Sequence, residues 1–152
     1  MRIANLITAV AAGVMFSACA TEYQSASFTG GFTDTQLAPD VFRVSFSGNA
    51  FTSSDRAQDF AMLRAAELTL ANDARFFGLL SSADQSRTET YVSPGSAMYG
   101  SGTTTYTAPQ VSTYYKPGVG MMIRTFKTRP KGGFAFDAEF VANSVRTKYG
   151  IK

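Results

Sequence analysis

The pattern of apolar and polar residues gives strand signals in two stretches near the start of the chain, at residues 30–37 and 41–47. In the second, Phe42, Val44 and Phe46 alternate with polar residues, which is the period of a strand with one face in water. A Pro39-Asp40 step separates the two stretches, and this dipeptide suits a turn. The pattern therefore predicts a β-hairpin.

A helical pattern follows from about residue 54 to residue 72. Thr52 is followed three positions later by Asp55, which matches an N-cap and an acid in the first turn. Arg64 and Glu67 stand three positions apart, a spacing that predicts a surface ion pair. For Glu67 the alternative is a partly buried acid at the centre of an unusual hydrolase. The apolar stripe predicted for this helix contains Ala57, Phe60, Ala61, Leu63, Ala65, Leu68 and Leu70.

Three further elements are predicted towards the end of the chain. Residues 75–82 and 119–127 indicate strands, and a helix begins after Asp137, with Phe140, Val141, Ser144 and Val145 on its inner side. Residues 146–150 form its basic end and its glycine stop. The predicted fold class is α+β: a two-layer domain with an antiparallel or mixed sheet of about four strands and two helices on one face.

Residues 84–117 differ in composition from the rest, being rich in Ser, Thr, Gly and Tyr. We interpret this segment first as a mobile surface loop, because it has little apolar area to offset the entropy of ordering. The alternative is an extended β-arm whose tyrosines bind a partner, since tyrosine offers a large contact area with few torsions. The tyrosines are spaced by eight, seven and eight residues: Tyr91, Tyr99, Tyr106 and Tyr114.

The N-terminus has the pattern of an export signal. Arg2 supplies positive charge, and residues 3–16 form an apolar run broken only by Asn5 and Thr8. A membrane-spanning helix needs about 20 apolar residues, so this run is too short to span. We expect residues 1–18 to be removed as a signal peptide.

The end of this run, residues 16–19, resembles the lipobox of bacterial lipoproteins, with Phe16 in place of the usual Leu. The resemblance implies cleavage after Ala18 and acylation of Cys19 with a covalent lipid such as palmitate, which is the only cofactor expected. Ala20 in place of Asp favours the outer membrane, facing the periplasm. Residues 19–29 are then a lipid-anchored tether, and residues 30–152 a single periplasmic domain. The alternative is ordinary signal cleavage, which releases a soluble protein.

Several segments of the mature chain together resemble a family of small proteobacterial envelope lipoproteins that has no assigned function. They are Gly31-Phe32, residues 42–49, residues 63–68 and Tyr149-Gly150. The resemblance covers most of residues 30–83 and the last third of the chain. It implies a lipid-anchored α+β domain in the cell envelope and transfers no catalytic residue.

Composition argues against catalysis. The chain has no His and one Cys, which excludes a Cys/His zinc site, a disulfide framework and His-based catalysis. Without His, a serine nucleophile would need a Lys or an acid as its base, and no Ser-x-x-Lys motif is present. We expect a protein that is not an enzyme and binds no metal.

Charge is unevenly distributed. Residues 19–89 contain nine acidic and five basic side chains, whereas residues 90–136 contain five basic and no acidic ones. The basic side chains form a candidate surface for an anionic partner, the alternative being an ordinary solvated face. Nucleic acid is not expected for an exported domain. The candidate surface contains Lys116, Arg124, Lys127, Arg129 and Lys131.

Two functional hypotheses follow. The first is a lipid-anchored, non-catalytic binding or assembly module at the outer membrane, with an envelope protein as partner. The second is a carrier of a small hydrophobic or glycan ligand, which would need an apolar pocket between the helices and the sheet.

Overall fold

The computed structural model describes residues 19–100 and 102–152, so the predicted signal peptide lies outside the described residues. Two helices and mostly antiparallel strands confirm the α+β class. In chain order the elements are β1 (Gly31–Ala38), β2 (Val41–Ser47), α1 (Ser54–Ala71), β3 (Phe76–Asp84), β4 (Arg87–Ser93), β5 (Ser96–Gly100), β6 (Thr103–Thr107), β7 (Gln110–Lys116), β8 (Gly118–Phe126), β9 (Phe136–Asp137) and α2 (Ala138–Tyr149).

The main sheet has five strands in the order β1-β2-β8-β3-β9, and each neighbouring pair is antiparallel. The predicted hairpin is confirmed as β1 and β2. Because β2 and β3 both pair with β8, they run parallel to each other, and α1 connects them. The end of the sheet where β2 and β3 finish and β8 begins is called the anchor end below.

The prediction of about four strands was too low, because the described residues contain nine strands in three sheets. Four of them, β4 to β7, lie in the segment interpreted first as a loop, so the β-arm alternative is the correct one for its structure. Apolar burial is not the only contribution that can order this segment. Thr, Tyr and Val have high strand propensity, and cross-strand pairing satisfies their backbone groups without a core.

Local capping sets the helix limits. The Ser53 hydroxyl accepts a hydrogen bond from Arg56 N at 3.2 Å and begins α1, one position after the predicted cap. Asp137 caps α2 by accepting from Phe140 N at 3.2 Å, as predicted. Gly150, with φ 66°, ends α2, because glycine adopts the left-handed conformation without a Cβ clash.

The core lies between the main sheet and the helices. Phe42, Val44 and Phe46 of β2 are buried, as their alternation predicted. They belong to one apolar cluster with Phe60 and Leu63 of α1, both of which are fully buried. These side chains fill the space in which the carrier hypothesis requires its pocket.

Three inward-facing assignments in the helices were wrong: Leu70 in α1, and Phe140 and Ser144 in α2, where Ser144 is also exposed. Leu70 is 41% exposed, and Thr69 is buried instead, because its hydroxyl donates to Ala65 O at 2.7 Å and needs no water. In α2, Phe140 is 73% exposed. The buried side of α2 contains the small Ala142, which allows α2 to pack closely on α1.

Candidate membrane anchor and binding surfaces

Cys19 lies at the anchor end of the main sheet and is exposed. The side-chain amide of Asn49 donates to the Cys19 carbonyl oxygen at 2.8 Å. Asn49 lies two residues after the end of β2 and is fixed by Thr52, whose hydroxyl donates to Asn49 Oδ1 at 3.0 Å. Gly48 N donates to Pro117 O at 2.8 Å, which brings Cys19 close to the start of β8.

Residues 19–29, the expected tether, lie against the domain instead of extending from it. Thr21 is only 2% exposed, and its backbone N donates to Thr52 Oγ1 at 2.9 Å. Further along, Phe32 N donates to Gln24 O, and Ala26 N donates to Phe32 O, both at 2.8 Å. The polar composition of this segment hid the pairing from sequence reasoning. A lipid on Cys19 would therefore be joined to the folded domain with almost no slack.

Gly30 makes this docking sterically possible. Its φ is 106°, and a Cβ at this position would lie 2.3 Å from the backbone oxygen of Ser47. Both features require glycine, since any side chain would push residues 19–29 away from β2.

Tyr23 fixes the same segment to the helices. Its ring packs against Phe32 and Phe60 with centroid separations of 4.8 and 5.5 Å. Its hydroxyl donates to the Glu67 carboxylate. Burial raises the pKa of Tyr23 well above its ordinary value, and the hydrogen bond to Glu67 raises it further. The tyrosine therefore stays protonated and continues to donate.

Glu67 is fully engaged by neighbouring groups. Besides Tyr23, it accepts from Arg146 Nη2 at 2.8 Å and from Arg64 Nη1 at 3.4 Å, the latter being the predicted i,i+3 pair. Arg64 also donates to Asp34 Oδ1 at 2.8 Å. This network links the N-terminal segment, β1 and both helices, which gives Glu67 a structural role.

We expect Glu67→Ala to lower the free energy of unfolding by about 1–3 kcal/mol, because the partly buried Tyr23 hydroxyl and two guanidinium groups lose their acceptor. Urea unfolding followed by circular dichroism measures this loss. Glu89→Ala removes an exposed carboxylate paired with Lys116 and is the matched control, for which no measurable loss is expected. Equal stability of the two variants would contradict the bridging role of Glu67.

The arm, residues 87–116, is a long two-stranded ribbon that continues from the anchor end of β3 and returns to β8. Its inner part pairs β4 with β7, and its outer part pairs β5 with β6. Ser93 opposes Gln110, and after two unpaired positions on each strand Ser96 opposes Thr107, so both parts share one register. Pro94 and Pro109 occupy the interruption, where a missing N–H breaks the ladder.

The four tyrosines singled out from the sequence fall on one face of this ribbon. Tyr91 opposes Ser112, two positions from Tyr114, and residues directly opposite or two apart share a face. Tyr99 opposes Thr104, two positions from Tyr106, so these two tyrosines also share a face. Tyr91 and Tyr99 are eight positions apart, an even number, which keeps both pairs of tyrosines on the same face. The tyrosine face is exposed throughout: Tyr91 62%, Tyr99 81%, Tyr106 69% and Tyr114 46%.

The base of the tyrosine face is basic. Arg87 and Lys116 stand opposite each other at the start of the arm, and Lys116 Nζ lies 2.5 Å from Glu89 Oε2. Both cations line a cavity of about 250 Å³ together with Asn49, the residue bonded to Cys19. The base of the arm and the anchor position therefore adjoin one cavity.

The five predicted cations do not form a single surface. Lys116 lies at the anchor end, whereas Arg124, near the end of β8, pairs with Asp40 at 2.8 Å. The eight positions from Gly118 to Phe126 along β8 span about 27 Å at about 3.4 Å per residue. Lys127, Arg129 and Lys131 follow in the turn after β8, so four of the five cations lie at the end of the sheet opposite Cys19.

A groove at this opposite end was not predicted from the sequence. It is open to solvent, with a volume of about 590 Å³, and its rim contains Phe134 and Phe140, which are 79% and 73% exposed. The sequence indication of this groove is Phe134, a large apolar residue that directly follows Gly132-Gly133 in a turn. This distal groove is lined by Arg75, Arg129, Phe134, Ala135, Phe136, Asp137, Glu139, Phe140, Val141 and Asn143.

The cations of the distal groove stack on an aromatic ring. Arg75 and Arg129 lie over the ring of Phe76 at 5.4 and 5.1 Å from its centroid. Arg75 Nε also lies 3.2 Å from Asp137 Oδ2. The pKa of Asp137 is lowered, chiefly by the hydrogen bond from Phe140 N and further by Arg75, so this acid stays ionised and paired.

The described part of the chain contains no group of three or more His, Cys, Asp or Glu residues placed to hold a metal. Neither of its helices is both long and apolar enough to cross a membrane. Comparisons of this chain with protein-family models, with curated proteins and with solved structures found no match.

Proposed function

We propose that this protein is a lipid-anchored, non-catalytic binding module on the periplasmic side of the outer membrane. One observation carries the proposal: Cys19 lies at one end of the main sheet, and the distal groove lies at the other. An acylated Cys19 would hold the first end at the bilayer. The groove would then face away from the membrane, towards proteins of the periplasm.

The docking of residues 19–29 supports an orienting role for the anchor. Thr21 N donates to Thr52 Oγ1, and Asn49 donates to Thr21 Oγ1 and to the Cys19 carbonyl oxygen, so the folded domain continues up to Cys19. A lipid attached through a flexible linker leaves a domain free to rotate, whereas a lipid attached directly to the fold restricts its orientation. Such an anchor suits a module that presents one defined surface.

The basic turn beside the distal groove, residues 127–131, supports an acidic partner. This turn contains three cations and no acid, whereas the groove lining itself balances Arg75 and Arg129 against Asp137 and Glu139. Exposed Phe134 and Phe140 add apolar contact area beside the cations. Interfaces commonly combine aromatic anchors with arginine in this way. We propose that the occupant is an acidic, partly apolar segment of an envelope protein.

The proposal can be tested with a photo-crosslinking amino acid at position 134 of the full chain in intact Gram-negative cells. We expect adducts with an envelope protein that map to an acidic segment. Combining the probe with Arg129→Glu in the groove and Lys131→Glu in the adjoining turn should abolish most of the adduct, because the groove and the turn then repel acids.

Arg43→Glu is the control, since it reverses one exposed cation on β2, which is half the charge change of the double variant. It should leave the adduct intact. Adducts that survive both Arg129→Glu and Lys131→Glu, or that map to a segment without acidic residues, would contradict the proposed partner.

A further inference from the structure

We infer that the tyrosine face of the arm is a second membrane contact, lying at headgroup level on the bilayer that holds acylated Cys19. The inference rests on the proposed anchoring and deepens it: the lipid fixes the position of the domain, and the arm fixes its orientation. The position, composition, charge and hydrogen bonding of the arm all support this contact.

The arm starts beside the anchor. Arg87 and Lys116 at its base line the same cavity as Asn49, whose amide is bonded to the Cys19 carbonyl. Ser86 Oγ accepts from Gly118 N at 3.2 Å, which fixes the start of the arm to the start of β8. Because residues 19–29 give the lipid no slack, a bilayer that holds Cys19 lies close to the arm.

The arm has the composition of an interfacial segment. Residues 90–115 contain no Asp, Glu, Lys or Arg. Tyrosine, with an apolar ring and a polar hydroxyl, is enriched where a membrane meets water. Ser112 and Thr104, which share the tyrosine face, add hydroxyl groups that can bond to lipid headgroups.

Charge on the arm is confined to its base. Arg87 and Lys116 lie on the same face as the tyrosines, since Arg87 is four positions before Tyr91 and opposes Lys116. Glu89 neutralises part of this charge through its pair with Lys116. The exposed Arg87 is placed to meet headgroup phosphates beside the anchor, an interaction that anionic lipids strengthen.

Hydrogen bonding sets the depth of the contact. β4 and β7 pair only with each other, so each strand has one edge whose backbone groups need another partner. Such groups cannot be left unsatisfied in the hydrocarbon core, whereas water and headgroups satisfy them at the interface. A two-stranded ribbon is also only marginally stable in water, so lying on a surface would stabilise it.

Tryptophan reporters test this geometry, because the chain contains no Trp. Tyr99→Trp places the reporter on the tyrosine face. Met98→Trp places the reporter on the preceding residue, which lies on the opposite face. The two positions are similarly exposed, Met98 at 78% and Tyr99 at 81%. Each full-length acylated variant is incorporated into vesicles of phosphatidylethanolamine and phosphatidylglycerol that contain a lipid with a quencher near the headgroup.

We expect the emission of Tyr99→Trp to shift to shorter wavelength in vesicles and to be quenched, with a much smaller effect for Met98→Trp. Equal quenching of both reporters, or of neither, would overturn the inference. So would a shift that appears without vesicles and grows with protein concentration, since this would indicate pairing with a second copy.

Mass spectrometry and vesicle flotation of the same samples distinguish a failure of the lipid anchor from a failure of the contact made by the arm. An acylated protein that floats with the vesicles but shows no quenching of Tyr99→Trp overturns only the role of the arm. A protein without acyl mass overturns the anchor, and this inference with it.

Discussion

Replacing Phe60 by alanine is expected to lower the free energy of unfolding by about 3–5 kcal/mol, a large part of the stability of a domain of this size. The Phe60 ring is fully buried and makes edge-on contacts with three aromatic rings: Phe46 of β2, Tyr23 of the N-terminal segment and Tyr149 of α2. Arg56 lies over it at 5.0 Å. Truncation leaves a cavity at the meeting point of all these elements.

Phe140→Ala is the matched control, because it deletes the same side chain from a helix position that is 73% exposed. Its effect on stability should stay within about 0.5 kcal/mol. Urea unfolding of both variants, followed by circular dichroism, measures the difference. Similar losses for the two would contradict the assignment of Phe60 to the core and of Phe140 to the groove.

The second large effect is expected from Cys19→Ser. A single acyl chain binds a bilayer only marginally, whereas two or more hold it stably at about 0.8 kcal/mol per buried methylene. Without the thiol no chain can be attached in thioether linkage. We therefore expect a high-salt wash to release the variant from membranes that retain the native protein, because weak contacts by the arm do not resist such a wash.

The folded domain is the internal control for this experiment. Cys19 is exposed, so the serine should leave the melting temperature nearly unchanged. The melting curve distinguishes loss of the lipid from unfolding of the domain. Release from the membrane counts as loss of the anchor when the melting temperature is unchanged. A folded, leader-free variant that resisted the wash would contradict the lipid anchor.

The elements of the main domain could be predicted because local chemistry determines them. Alternation at Phe42, Val44 and Phe46 marked β2, and caps at Ser53 and Asp137 marked the helices within one position. Packing choices could not be predicted in the same way. Thr69 is buried in place of Leu70 because a hydrogen bond to its own helix removes the cost of burying the hydroxyl.

The surfaces were harder to predict than the core. The tyrosine spacing was visible in the sequence, but only the register of β4 with β7 and of β5 with β6 puts all four rings on one face. Cations close in sequence, such as Lys116 and Arg124, were separated by the length of β8. The distal groove depends on Arg75 and Phe134, which are distant in the chain, and periodicity carries no signal for such a contact.

The covalent lipid on Cys19 underlies the proposed function, and intact-mass spectrometry of the polypeptide purified from membranes of a Gram-negative host is its decisive test. We expect a chain that begins at Cys19 and carries the added mass of a diacylglyceryl group and an N-terminal acyl chain. A chain that retains residues 1–18, or one cut elsewhere without acyl mass, would contradict it.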